Sequence, residues 1–307
     1  MKKHVLAGAV ALACSAGAMA QVKVSGFLET QVGRMAGDAT TRVFEAGGSR
    51  LKFTGDEDLG GGLKASFYLE HRLDTSTGEG AAPFWKGGSW VGLSSDSIGS
   101  VKVGRWWSQA FLKAQYAADA FGMLTMGLGT WGTAGTGGTF WVDNSVTYEN
   151  SVGGFSFGAQ YAPERPTGAP KHPFTAGVSY AADALYVGVG YEASTDGSAD
   201  EKQFTIGANY DLGVVKLFAG YADHKSATLV KTKDYEFGFS APVGAGAVIG
   251  SYNTRKNVTA SVTTEQLLSV GYKYNLSKST FVDVVVSNDS KKTTSKSGYA
   301  LGVFHSF

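Results

Sequence analysis

The sequence predicts an all-β protein, a sixteen-stranded antiparallel transmembrane β-barrel with a long third loop folded into the pore. Three observations carry this. Apolar and polar residues alternate with period two through most of the chain, as in strands whose two faces meet different surroundings. The connections between these runs are alternately short and long, seven short and eight long. One stretch, Ser108–Val142, breaks the rhythm for some thirty-five residues.

In chain order, Lys2 and Lys3, the apolar run Val5–Ala13 and the small-residue site Ala18-Met19-Ala20 read as a secretory signal over residues 1–20. The run is too short to span a bilayer. Cleavage before Gln21 removes Cys14, the one cysteine, so neither disulfides nor cysteine-bound metals are expected in the barrel domain, residues 21–307. A lipid-anchored Cys14 would call for a larger aliphatic residue than Ala11 three positions before it. Without Lys2 and Lys3, the 27 basic residues become 25 against 26 acidic, a balance that argues against a nucleic-acid partner. No mature segment approaches the roughly eighteen consecutive apolar residues of a membrane helix, and closure is the other way to satisfy every backbone group in lipid.

The strands follow. Phe204, Ile206, Ala208 and Tyr210 share one face against Thr205, Gly207 and Asn209. Phe155, Phe157, Ala159 and Tyr161 repeat the pattern, as do Leu185–Tyr191, Val215–Tyr221, Tyr235–Ala241 and Val282–Val286. A soluble sandwich alternates too. Here the second face is small or charged and aromatics gather near strand ends, which suits an apolar band outside, a polar lumen and aromatic girdles. About ten residues at ~3.3 Å each, tilted ~40°, rise ~25 Å, the height of such a band. The short turns fall near Asp56–Gly61, Ser95–Ser100, Asn150–Gly154, Ala181–Ala184, Asp211–Gly213, Pro242–Gly246 and Leu276–Ser279. Fifteen connections make sixteen strands, with both termini on the short-turn side.

The interrupting stretch is helix-compatible to about Asp119. Beyond that it is rich in Gly and Thr, with Met123, Met126, Trp131, Phe140 and Trp141 among them. A disordered segment should be charged and poor in aromatics, whereas an ordered loop narrowing a barrel suits this composition. Gly127, Gly129 and Gly132 spell G-x-G-x-x-G, but without the strand and helix of a dinucleotide site. The mature histidines, His71, His172, His224 and His305, show no metal spacing. His71 near Asp74 and Ser76 is a weak basis for an enzyme, and no catalytic residue or cofactor is expected.

Gly48–Glu70 (GSRLKFTGDEDLGGGLKASFYLE), Trp90–Arg105 (WVGLSSDSIGSVKVGR) and Asp143–Tyr161 (DNSVTYENSVGGFSFGAQY) resemble segments of the Gram-negative porins of β-proteobacterial type, as does the end, GYALGVFHSF. The resemblance implies a homotrimer of sixteen-stranded barrels, each with its third loop in the pore. It also implies that Phe307 is the signal read by the outer-membrane assembly machinery. Two departures stand out: Trp141 occupies a position where such proteins commonly carry Arg, and so does Gly87.

By alternation, Arg50 shares a face with Lys52 and Thr54, and Lys64, Ser66, Tyr68, Glu70 and Arg72 share another. The resemblance places Arg50 and Arg105 in the basic wall of the constriction, and parity adds Arg72, Lys52 and Lys64. The usual acidic wall is thin here. Between Ala120 and Val142 there is no acid, and Asp119 and Asp143 bracket the gap. Asp119, Met123, Met126, Trp131, Trp141 and Asp143 are the candidate loop residues of the constriction. The expectation is an outer-membrane channel for passive diffusion of small hydrophilic solutes and ions, weakly anion-preferring. The alternatives are a channel that binds an aromatic or carboxylated solute and a non-conducting structural or adhesion barrel.

Overall fold

The computed structural model describes residues 21–122, 140–164, 171–195 and 200–307. The expected signal at 1–20, and Met123, Met126, Trp131 and the G-x-G-x-x-G glycines, lie outside them. The strands are β1 (Lys23–Arg34), β2 (Arg42–Phe44), β3 (Arg50–Gly60), β4 (Leu63–Arg72), β5 (Ser89–Ser95), β6 (Gly99–Trp107), β7 (Trp141–Val152), β8 (Phe155–Tyr161) and β9 (Phe174–Ala182). They continue as β10 (Leu185–Ala193), β11 (Lys202–Asp211), β12 (Lys216–Lys225), β13 (Lys231–Val243), β14 (Gly246–Asn257), β15 (Val262–Asn275), β16 (Thr280–Asp289) and β17 (Ser297–Ser306).

Sequence neighbours pair antiparallel, and β17 pairs back onto β1 with Phe27 opposite Ser306 and Arg34 opposite Tyr299. The sheet is therefore closed. Both β2 and β3 pair with β1, through Gln31–Phe44 and Phe27–Arg50. They are two pieces of one stave, parted by an excursion over 45–49, so the seventeen segments make sixteen staves. The seven short turns and eight long connections fall where the alternation predicts, and β7 begins at Trp141, two residues before Asp143. A single wide helical turn, Phe111–Gln115, and an α-helical turn, Tyr116–Ala118, follow β6.

Burial is inverted relative to a water-soluble protein. Gln31, Glu70, Gln160, Thr175, Glu192, Gln203 and Glu236 are buried, while Val91, Val103, Phe155, Phe237, Leu268 and Leu301 are exposed. Only a surrounding apolar solvent makes that favourable, since exposing so much contiguous hydrocarbon to water costs about 25 cal/mol per Å². The structure thereby decides between membrane barrel and soluble sandwich. Phe204, Ile206, Tyr210, Val284 and Val286 all lie on the outer face the alternation assigned them.

Closure ends on Phe307. Its N–H donates to the Gly26 carbonyl (3.1 Å) and its carbonyl accepts from the Gly26 N–H (3.0 Å). The ring lies over Gly26, where an added Cβ would meet Phe307 Cζ at 2.9 Å. Deleting Phe307 removes both bonds, about 1 kcal/mol each. The deleted chain should lose its heat-modifiable, folded gel mobility at a lower temperature than the full chain; an unchanged transition would show that the seam does not depend on this residue.

Candidate functional site

The lumen is crossed by the segment after β6, and the inner wall is shaped to receive it. Ala110, Ala114 and Ala118, spaced by four, are fully buried. They meet a wall whose inward face on β8–β11 includes Gly158, Gly177, Gly188, Gly190 and Gly207. Gly158 opposes Gly177 and Gly177 opposes Gly190, while Gly188 opposes Gly207. A Cβ on Gly188 would lie 1.7 Å from the Lys113 carbonyl oxygen, and one on Gly207 would lie 1.8 Å from that of Ala114. These are backbone contacts, so no side-chain rotation relieves them.

Wall side chains satisfy the loop's polar groups. Tyr186 Oη donates to the Lys113 carbonyl (3.1 Å), Asn209 Nδ2 to that of Ala117 (2.8 Å), and the Gln109 N–H to Thr175 Oγ1 (3.0 Å). Ser108 Oγ donates to Glu192. Asp119 accepts from the N–H groups of Phe121 (2.8 Å) and Gly122 (3.1 Å). Ala120 and Phe121 then pack with Phe44, Ile249, Val285 and Ala300 on the far wall.

The basic residues stand on the arc from β3 to β7. Arg50 lies directly opposite Arg72, and Lys52 opposite Glu70. Arg72 Nε donates to Glu70 Oε1 at 2.8 Å, with Arg50 Nη1 3.9 Å from the same oxygen. Arg50 is further held by the carbonyls of Gly48 (2.8 Å) and Gly47 (2.6 Å) and lies 4.4 Å over the Phe27 ring. Glu70 occupies the room that Gly87 leaves, since a Cβ there would come within 2.5 Å of the Glu70 side chain. Tyr116, on the helical turn, is half exposed to the lumen. Burial and, to a lesser degree, Asp119 push its phenol pKa up, against a smaller downward pull from Arg50.

Arg105 departs from simple alternation. It stands at a bulge between Gly104 and Trp106, which lets it donate to the carbonyls of Lys86 (3.0 Å) and Gly87 (3.2 Å) and pair with Asp143. Trp141, stacked on Trp107 at 3.8 Å, has the guanidiniums of Arg72 and Arg105 each 5.2 Å from its ring centre. Arg50, Arg72, Arg105, Lys52, Trp141 and Asp143 therefore share one arc. Lys64 does not join them: it is the second residue of β4, opposite Asp58, at the short-turn end, eight residues before Arg72.

The alternation reading passed over Lys102, Glu149 and Lys113. Lys102 pairs with Glu149 between the rings of Trp90 (5.1 Å) and Trp106 (4.6 Å). Its position between Val101 and Val103 was a sufficient signal for a lumen residue. Lys113, on the helical turn, donates to Ser156 Oγ at 2.8 Å. Burial lowers its pKa, against an upward pull from Glu149, and no periodicity marks it.

Residues 7–294 match the family model described as Gram-negative porin. The chain is 32% identical over 312 residues to outer membrane porin protein 32 of Delftia acidovorans, covering 91% of this chain and 87% of that one. A solved structure described as an anion-selective porin from Comamonas acidovorans superposes with a TM-score of 0.79 at 25% identity, over 94% of this chain and all (100%) of the other. OmpT of Vibrio cholerae in its trimer form gives a TM-score of 0.71 at 15% identity over 94% and 99% of the two chains, a likeness of fold alone.

Glu70 is the carboxylate between two opposed guanidiniums, and Glu70→Gln leaves them facing each other unpaired. In this water-lined setting the cost should be on the order of 2 kcal/mol, below the loss of a pair in a dry interior. The heat-modifiable transition should fall for Glu70→Gln and largely recover in Glu70→Gln/Arg72→Gln. A single variant as heat-stable as the parent would contradict the pairing.

Proposed function

The chain belongs to the Gram-negative porin family, and from that premise we propose that Arg50, Arg72 and Arg105 form the basic wall of its constriction, giving a weak preference for anions. It is a porin of the bacterial outer membrane, a passive channel for small hydrophilic solutes and ions, and not an enzyme. Signal-directed export through residues 1–20 and recognition of Phe307 by the assembly machinery belong to the same proposal.

The observation that carries the basic wall is the cross-strand opposition of Arg50 and Arg72 with Lys52 below them and one carboxylate, Glu70, among the three. Arg105 is offset by Asp143. An ion on the order of 10 Å from a unit charge in water feels ~0.4 kcal/mol. With an excess of about two charges the attraction is under 1 kcal/mol, and screening over ~8 Å at physiological salt cuts it to a few tenths. The low-dielectric barrel focuses the field and works the other way. Selectivity should therefore be several-fold at most and fade as salt rises. Lys64 contributes to the mouth at the short-turn end and little to the narrow section. The described part of the loop, residues 108–122, crosses the lumen and narrows the passage; Met123, Met126 and Trp131, expected from the sequence to share in this, lie outside the described residues.

A second reading has a specific observation behind it. Trp141 sits beside two guanidiniums, a surface suited to a solute carrying both a ring and a carboxylate. We also propose association into a homotrimer. The connection after β4 folds over the outer wall, with Phe84 stacked on His71 at 3.9 Å and 60% exposed, which offers a neighbouring copy an aromatic contact.

Single-channel and reversal-potential recording on the purified protein tests both readings. Replacing Arg50 and Arg105 together with Gln should move the reversal potential in a salt gradient toward cations. A parent channel that already favours cations, or a double variant whose potential is unmoved, rules out this wall. Benzoate should block more strongly than acetate if the tryptophan surface binds solute, and equal block removes that reading.

A further inference from the structure

The outer wall of β11–β14 changes chemistry row by row toward its long-loop rim. Low on the wall, Tyr210, Leu217 and Phe239 face one another across strands. Higher up, Ile206, Tyr221 and Tyr235 form a row in which the tyrosine rings are 5.2 Å apart. That is the level of an aromatic girdle, where hydrocarbon gives way to headgroups. The next row holds Asp223, Lys233 and Lys256, and the top row holds Lys202, Lys225 and Lys231, each directly opposite the next.

Like charges placed directly opposite on adjacent strands destabilise a sheet. Three lysines in register are thus set against the fold's own preference. Among the described residues one acid answers that row, Asp200 on Lys225 at 3.1 Å, and one answers the row below, Asp223 on Lys233 at 3.8 Å. On β16 and β17 the outward rim pair is Asn288 opposite Ser297, both uncharged, with Lys291, Lys292 and Lys296 in the connection beyond rather than paired across strands.

The wall is also hollowed here. A recess of about 600 Å³ lies among Lys202, Lys225, Lys231 and Lys233, with Asp223, Tyr191 and Phe204 also lining it. Below it, on the same strands, an apolar groove of about 360 Å³ runs between Leu185, Tyr210, Leu217 and Phe237. A basic recess above an apolar groove, on a face turned to lipid, fits an amphiphile with an anionic head and hydrocarbon chains. Lysine stems can lie along the tyrosines while their ammonium groups reach the headgroup plane.

We propose that this face is a binding site for a phosphate-bearing lipid of the outer leaflet. Its phosphate is held by Lys202, Lys231 and Lys233, and an acyl chain lies in the groove below. The site is separate from the pore, on the far side of the wall, and does not depend on which ions the pore prefers.

Native mass spectrometry of the folded protein in mild detergent tests the site, with bisphosphorylated lipid A, fully dephosphorylated lipid A and inorganic phosphate as probes. The variant is Lys202→Gln/Lys231→Gln/Lys233→Gln, which keeps Lys225 with Asp200. Heat-modifiable mobility and single-channel conductance certify that it folds. The parent should retain the bisphosphorylated lipid in preference to the dephosphorylated one. The variant should bind it roughly a hundredfold more weakly, each lysine near a lipid surface contributing about fivefold. Equal retention of the two lipids by the parent, or equal binding by parent and variant, overturns the proposal. Inorganic phosphate bound as well as the lipid would assign the patch to free phosphate, and a variant with fewer copies per particle but undiminished lipid would make it an interface between copies; either result overturns it as well.

Discussion

The close approach of the loop backbone to the inner wall at Gly188 and Gly207 is the contact on which the pore depends. A sixteen-strand barrel left to itself encloses a water-filled channel too wide to discriminate among small solutes. Something must occupy the lumen, and a free loop there would carry both conformational entropy and unsatisfied peptide groups. The chain meets both difficulties at one place. Glycines aligned across β8–β11 leave a trench, and the alanines at 110, 114 and 118 let a helical turn lie in it. Tyr186, Asn209 and Thr175 then bond to the backbone that the trench admits. Phe121 fastens the far end to β2, β14, β16 and β17.

With the loop lying along β8–β13, the arc of β3–β7 is left to carry charge, and the bilayer dictates how. Every side chain excluded from lipid by parity turns inward, so acids and bases crowd into a small lumen and pair. Glu70 with Arg72, Glu149 with Lys102, Asp143 with Arg105 and Asp234 with Arg255 are the result. Pairing stabilises the wall and weakens its field. A lumen built this way favours modest ionic discrimination, because most of each charge is spent on its neighbour. The tryptophans at 107 and 141 add flat, weakly hydrated surface beside two of the guanidiniums.

Much of this was legible in the sequence because strand parity is unforgiving. Arg50, Lys52, Tyr68, Glu70 and Arg72 needed only the alternation with Leu51, Phe53, Phe67 and Leu69, and the register sets Arg50 opposite Arg72 and Lys52 opposite Glu70. Turn residues such as Gly61-Gly62 and Gly153-Gly154 marked the strand ends. What could not be read was anything that broke the period. The excursion at 45–49 splits one stave, and the bulge at Arg105 turns its side chain toward Asp143 rather than by parity. The trench was hidden for a different reason. Gly158, Gly177, Gly188 and Gly207 appear in the alternation as the small second face, and nothing local distinguishes a glycine that is merely small from one on which another backbone rests. Lys113 became a lumen residue only through that contact. Met123, Met126 and Trp131 lie outside the described residues, so their contribution rests on composition alone.

If the trench seats the loop, filling it must unseat the loop without opening the barrel. Hydrogen–deuterium exchange of the Gly188→Ala/Gly207→Ala variant in mild detergent reads both at once, because each added Cβ would fall within 2 Å of a loop carbonyl, at 1.7 and 1.8 Å. Amides of residues 108–119 should exchange on the order of tenfold faster or more than in the parent, while the strand ladders keep their protection. Loop amides as slow in the variant as in the parent would contradict the account.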